Sequence, residues 1–525
     1  MLKNGGVSYD IGKYDVAALS SDLSISIKGD TPSEGNICIG SNGTITKASL
    51  KINGYIVSYD GKETTTTDLE DIEDITCNIF EDAAKLVYDD TGVCKTDDTT
   101  YEYMGGCYIK GTSTNNYVWY NGFMWRIMGI NSDNTVRLIT DDNVTALAYG
   151  LSTSYNANEG YIRDWLNEYF YSHLNSTKTI IQEGNYFCSQ SSNGVALTEG
   201  RTTCTEENVI AAKVGIMAMD EYILSAPDKE DGTPDESLTY LNNKQVQWTM
   251  TPFNDTKVAY LATGWITWED PNAADNGKPA AAYGVRPVIN IDPNSIVTTR
   301  NGQATDFFVL SENKNNDITG KLSDIVTSGE YVNLAGKTYR VVSKSDIGVK
   351  LILDEIYKEY DEEGNLQTIS FGDNNTFTLD SGIGAKLNGD VLTWLGLSNS
   401  DKIVTTTYFQ GDGYIHSASY SDTLKETNGV ESTVGLIKMG EMLATQSSTM
   451  LTKNYTDSYK TGNTNFYWTM NKYTDEQKVW YIFPNGNAVS NKNSSYKYCI
   501  RPVITVKNDL NIASGNGTWT NPYEI

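Results

Sequence analysis

The side chains able to do chemistry in this 525-residue chain are few in kind. Two histidines, His173 and His416, leave little material for a Ser-His-Asp or Cys-His centre. The seven cysteines show no CxxC spacing and no Cys/His grouping of the kind that holds zinc. Two pairs are close in sequence, Cys94 with Cys107 and Cys188 with Cys204. Disulfides explain these pairs better than zinc does, with buried free thiols as the competing reading. Cys38, Cys77 and Cys499 are left without an assigned partner, and the odd count requires a free or intermolecular thiol. Carboxylates are abundant, at 67 Asp and Glu, but no spacing selects a pair for glycoside hydrolysis. Calcium among Asp133, Asp141 and Asp142 competes with solvated acidic turns, and the turns are the simpler explanation. The expectation is therefore no catalytic residue, no metal and no cofactor.

The chain concentrates aromatic side chains instead, including 35 Tyr and 10 Trp. The stretch VAYLATGWITWEDPNAADNGKPAAAYG sets Tyr260, Trp265 and Trp268 among Gly, Asn, Asp and Pro. The stretch VWYIFPNGNAVSNKNSSYKYC does the same for Trp480, Tyr481, Phe483 and Tyr496, with an Asn-rich loop from Asn485. Rigid rings beside Asn, Ser and Gly supply contact area at low entropic cost, which suits a binding surface. Trp265, Trp268, Trp480, Phe483, Asn485 and Tyr496 are thus candidate ligand contacts. Tyr260 and Tyr481 align and alternate with their neighbours, which makes them candidates for the core.

The elements that position these rings occur twice. YNGFMWRIMGINSDNTVRLI (120–139) matches LAGKTYRVVSKSDIGVKLI (334–352), and VGIMAMDEY (214–222) matches VGLIKMGEM (434–442). QWTMTPF matches YWTMNKY, and YGVRPVINI (283–291) matches YCIRPVITV (498–506). NGQATDFFVL (301–310) corresponds to NGTWTNPYEI (516–525), and RDWLNEY has a weaker counterpart in LTWLG (392–396). The order is kept and the period exceeds 200 residues, so two copies of a domain are expected rather than a solenoid. FMWRIMGI and TVRLIT read as strands around a turn at 132–134. EGYIRDWLNEYFYSHL reads as a helix with Ile162, Trp165, Leu166, Tyr169 and Phe170 on one stripe. VGIMAMDEYIL reads as a short strand entering a helix.

Ahead of the copies, residues 1–75 are short strands and turns. In KASLKINGYIVSYDG a two-residue turn at Asn53-Gly54 places Ile52 opposite Tyr55, Leu50 opposite Val57 and Ala48 opposite Tyr59, all on one face. The acidic segment 64–77 reads as a linker. The net charge of −27 argues against nucleic acid or an anionic membrane surface as partner. No apolar run reaches the ~18 residues that cross a bilayer. The N-terminus reads as no signal peptide. With paired cysteines, the expectation is an exported protein that contacts a membrane only through a targeting segment outside this sequence.

At the Trp/Tyr-Arg strands, the VGIM/VGLI segments, the WTM strands and the closing RPVI strands, the chain resembles the C-type-lectin-like modules of Gram-positive surface proteins. These modules are related in fold to formylglycine-generating enzymes. The likeness covers residues 95–310 and 318–525, and residues 1–75 resemble the β-sheet half of Gram-positive type IV pilins. The implied fold class is α+β and β-rich, a small antiparallel pilin-like sheet plus two tandem C-type-lectin-like domains. In that fold the RPV strand closes the domain beside the WTM strand. Trp125, Arg126, Trp248, Arg286, Arg340, Trp468 and Arg501 are then scaffold residues, the arginines pairing with a carboxylate or backbone carbonyls. The enzyme's paired C-terminal cysteines are missing, since only Cys499 follows Cys204. The calcium-binding triplets of sugar-binding members are missing too. The resemblance implies a cell-surface or pilus-associated adhesin or minor pilin that binds a host or bacterial surface glycan or protein. The alternatives are a filament subunit that contacts other pilin subunits without a dedicated ligand, or a glycan-active enzyme.

Overall fold

The computed structural model describes residues 76–525 except 96, 158, 272–280, 299–301, 311–317, 361–366, 414–418, 442–465, 476 and 484–487. Before residue 76 it describes eight strands between residues 2 and 67. These residues form a β-rich α+β chain with short helices. One compact unit comprises residues 1–120, 125–138 and 290–315, and the other 121–124, 139–289 and 316–525.

In the first unit, strands Glu34–Ile39, Ile45–Ile52, Tyr55–Tyr59 and Thr64–Thr67 form one antiparallel sheet. The central pair has the register set by the alternation: Ala48 opposite Tyr59, Leu50 opposite Val57, Ile52 opposite Tyr55. The expected linker over 64–77 is corrected at both ends. Thr64–Thr67 extends the sheet, and Thr76–Asn78 pairs with Ile296–Thr298. A helix that the sequence reading did not identify follows at Ile79–Val87. Its signals are ordinary: Asn78 caps the Glu81 amide, Glu81 and Asp82 lie in the first turn and Lys85 in the last. Cys38 is bonded to Cys77, and Cys94 to Cys107. Val118-Trp119 pairs in parallel with Phe308-Val309.

The second unit holds the second copy's main sheet, ordered 403–404, 503–506, 349–353, 337–344, 331–334, 523–524. Here Val332-Asn333 pairs in parallel with Tyr523-Glu524, as 118-119 does with 308-309 in the first copy. The duplication is thus carried by topology as well as by motif. Both copies open on a two-residue hairpin with positive φ at both positions, Asn121-Gly122 and Ala335-Gly336, as a type I′ turn demands. Gly122 also admits no side chain, because a Cβ there would lie 2.1 Å from the Ser328 carbonyl oxygen.

The helix at 162–173 buries Ile162, Trp165, Leu166 and Phe170, but Trp165–Phe170 is wound as a π-helix. Leu387–Val391 is a π-helix too, within the helical run 382–394. Aligned on Leu166-Asn167 and Leu387-Asn388, the two π turns make GAKLNGD (384–390) the counterpart of RDWLNEY, in place of the weaker match to 392–396. Asn167 Nδ2 donates to the Val214 carbonyl, and its Oδ1 accepts from the Val214 amide. Asn388 holds Val434 in the same two ways. A π turn with a bonded Asn therefore ties each helix to its VG strand.

The RPV strand does not lie beside the WTM strand. Tyr283 and Gly284 belong to strand Ala282–Val285, where Gly284 sits beside Gln247 of strand Val246–Asn254. After Arg286 the chain enters Pro287–Ile291, which pairs with Val214–Ile216 in a different sheet. Copy two does the same, with Cys499 beside Tyr467 and Val503–Val506 paired to Val349–Leu353. The arginine stands where the chain changes sheets.

Candidate functional site

In the first copy three strands, Val246–Asn254, Lys257–Ala262 and Trp265–Glu269, make an antiparallel meander. Trp265–Glu269 is its edge strand. Cross-strand partners share a face of the sheet. Ala262 lies opposite Trp265, Tyr260 opposite Thr267 and Val258 opposite Glu269. Trp265, Thr267 and Glu269 therefore share the face of Tyr260, which also carries Trp248.

The rings on that face are packed from the core outward. Trp248 is buried and donates its indole N–H to the Leu147 carbonyl at 2.9 Å. The half-buried Tyr283 lies 4.6 Å from Trp248 and 4.3 Å from Tyr260. Burial, with Tyr260 and the Glu269 carboxylate nearby, holds the Tyr283 hydroxyl far above the usual tyrosine range. The outer end of the face is Trp265, which is 75% exposed.

Trp265 is displayed on a fixed turn. Thr263 and Gly264 both have positive φ, and a Cβ on Gly264 would lie 2.3 Å from the Asn242 side chain. The buried Tyr222 donates to the Gly264 carbonyl at 3.0 Å, and Asn242 Nδ2 is bonded to the Glu236 carbonyl. An exposed ring on a pinned turn is preorganised, so little ordering entropy opposes its contacts.

Trp268 does not join Trp265. One residue from Thr267, it faces the other side of the sheet and stacks on Phe253 at 4.0 Å with the planes 4° apart. It is 36% exposed, so its ring has an intramolecular partner that its sequence neighbours do not suggest.

The second copy builds the same cluster. Trp468 lies 4.7 Å from Tyr498 and 6.0 Å from Tyr481, and its indole donates to the Ile369 carbonyl at 2.8 Å. Trp480 is corrected from ligand contact to core: it is 1% exposed, on the face opposite Tyr481, and packs on Tyr473. Phe483 is half-buried against Phe466 at 4.4 Å, and Tyr496 is 51% exposed. Asn485 lies outside the described residues. Tyr481 is core, whereas its counterpart Tyr260 is half-exposed.

The arginines serve the frame. Arg286 is buried, with Nε bonded to the Thr140 carbonyl and Nη1 to the Leu241 carbonyl. Arg501 is buried, with Nε on the Leu353 carbonyl at 2.7 Å and Asp354 at 4.0 Å. Arg126 lies over the Tyr117 ring at 3.8 Å, and Arg340 over the Tyr331 ring at 4.7 Å. Trp125 is buried and bonded to the Tyr120 carbonyl. Cys188 is bonded to Cys204, and Cys499 is a buried thiol. Asp133 accepts from the Thr135 amide and hydroxyl, which accounts for that side chain as a turn. Asp142 accepts from Gln245.

Compared with known proteins, the chain matches no family model, no curated protein and no solved structure. Three disulfides fit a secreted or extracellular protein. No helix among the described residues is long and apolar enough to cross a membrane.

Proposed function

We propose that this chain is an extracellular, non-enzymatic binding protein of a bacterial surface or pilus, a pilin-like β module carrying two C-type-lectin-like domains. Its principal site is the ring-lined face of the first copy. Trp265 supports this reading: a Trp left 75% exposed, on a turn held by the buried Tyr222, keeps apolar area in water until a partner covers it. The half-exposed Tyr260 and Tyr283 and the carboxylate of Glu269 complete the surface. The second copy has no Trp at the aligned positions, and its cluster is more deeply covered, so it recognises a different target or none. Trp265→Ala, folded and compared with the parent chain for adhesion to bacterial and host cell surfaces, tests the reading. At least a tenfold loss is expected, consistent with the ~2 kcal/mol or more that a central aromatic contact supplies.

A further inference from the structure

Resting on that reading, we propose that the face takes a glycan bearing a free amino group, its sugar ring stacked on the aromatic side chains and its ammonium group turned to Glu269. The first support is the geometry. Trp265 and Glu269 are four residues apart on one strand and one face, a span of about 13 Å at the rise of an extended strand. Tyr260 and Tyr283 lie alongside this strip. Its partly or fully exposed described members are Trp265, Thr267, Glu269, Tyr260, Ala262 and Tyr283. A standard protein interface draws on roughly 20–30 residues a side, so the strip is narrow for a protein partner.

The second support is charge. Aromatic faces attract cations, and a neighbouring carboxylate adds directional acceptors. Glu269 accepts from the Asp270 amide at 3.3 Å, and its charge helps to hold the nearby Tyr283 hydroxyl protonated. An ionised carboxylate has about four acceptor sites, so capacity remains for an ammonium group. Among the described residues no lysine or arginine forms an ion pair with Glu269. The net charge of −27 enriches cations around the chain and disfavours anionic sugars.

Titration calorimetry of the full chain with a glucosamine tetramer and an N-acetylglucosamine tetramer tests this, because the two share a backbone and differ in the amine. The glucosamine tetramer is expected to bind at least tenfold more tightly. Glu269→Gln, nearly isosteric and checked for an unchanged melting temperature, is expected to erase the difference. Trp265→Ala is expected to weaken the glucosamine tetramer further. Equal binding of the two tetramers, binding of neither, or a preference that survives in Glu269→Gln overturns the amino-sugar proposal. If cell adhesion still depends on Trp265 in any of those cases, the binding reading stands with a different ligand class. If adhesion is indifferent to Trp265, that reading falls as well.

Discussion

The indole N–H of Trp165 donates to the carbonyl oxygen of Gly440 at 2.7 Å, in a buried setting. Trp165 starts the π turn of the first copy, and Gly440 closes the VGLIKMG segment of the second. Thr145 Oγ1 donates to the Glu441 carbonyl close by, and Tyr420 donates to Glu168. Ala282 of the first copy pairs with Ala488 of the second. The copies are thus joined by buried hydrogen bonds as well as by chain connection. Trp165→Phe keeps an aromatic side chain but removes the indole N–H and part of the buried volume, so the unsatisfied carbonyl costs about 1–3 kcal/mol and the vacated space adds to it. Urea unfolding is expected to show that loss in one transition covering both copies. Two separated transitions in the parent chain would contradict the coupling.

The cysteine bridges are open to direct measurement. Non-reducing peptide mapping is expected to recover Cys38–Cys77, Cys94–Cys107 and Cys188–Cys204, with Cys499 alkylated only after unfolding. Burial pushes the Cys499 thiol up to about 12, so it is a poor nucleophile in the folded chain. Replacing Cys188 and Cys204 by Ala should cost about 3 kcal/mol on the loop-entropy estimate, since 16 residues separate them. Free Cys188 and Cys204 in the mapping would count against both the bridge and the extracellular assignment.

Arg286→Ala and Arg501→Ala should each destabilise the chain by about 2–4 kcal/mol. Their guanidinium groups hold carbonyls where the chain passes between sheets, and truncation leaves Thr140 and Leu241, or Leu353, without that donor. Chemical denaturation measures the loss. Full stability with reduced adhesion would instead make them recognition residues.

Glu441 supplies a pH dependence. Burial works to raise its pKa, but Lys350, at 2.6 Å, and Lys438 hold it below the ordinary glutamate range. A carboxylate depressed on folding stabilises fully above its unfolded pKa of about 4.3, and that stability is lost as pH falls through the lower folded value. Glu441→Gln can still accept the Lys438 amide hydrogen bond. The variant should be less stable than the parent at neutral pH, and the gap should close in strong acid. A gap of equal size at both pH values, measured by urea titration, would contradict the charge argument.

Ala335 occupies the first position of its type I′ turn with φ +51 and is exposed. The equivalent position in the first copy is Asn121, which tolerates that conformation. Left-handed backbone costs an ordinary residue about 1–2 kcal/mol. Ala335→Asn is expected to raise the melting temperature, and a lower one would show that the turn is not strained there.

The parts of this architecture legible in the sequence follow short periods. The register at Ala48 and Tyr59 follows from alternation around a two-residue turn, and the Val214–Ile216 strand before the Met219–Ser225 helix follows from its apolar pattern. The repeated parallel pairs, 118-119 with 308-309 and 332-333 with 523-524, carry the duplication that the motifs indicated. What the sequence hid depends on tertiary partners. The π turns have ordinary helical composition, and only the shared Leu-Asn of 166-167 and 387-388 hints at them. Trp265 and Trp268 look alike in sequence, but strand pairing sends them to opposite faces, and Phe253 covers one. Trp480 sits in an aromatic run like a surface residue, and its parity beside Tyr481 puts it inside.

Adhesion of the labelled full chain to bacterial and host cell surfaces, compared between the parent and Trp265→Ala, tests the central claim most directly. Measurable adhesion by the parent is expected, with at least a tenfold loss in the variant at matched melting temperatures. Equal adhesion by a folded Trp265→Ala chain, or no adhesion by the parent to any surface, would contradict it and favour a filament subunit without a dedicated ligand.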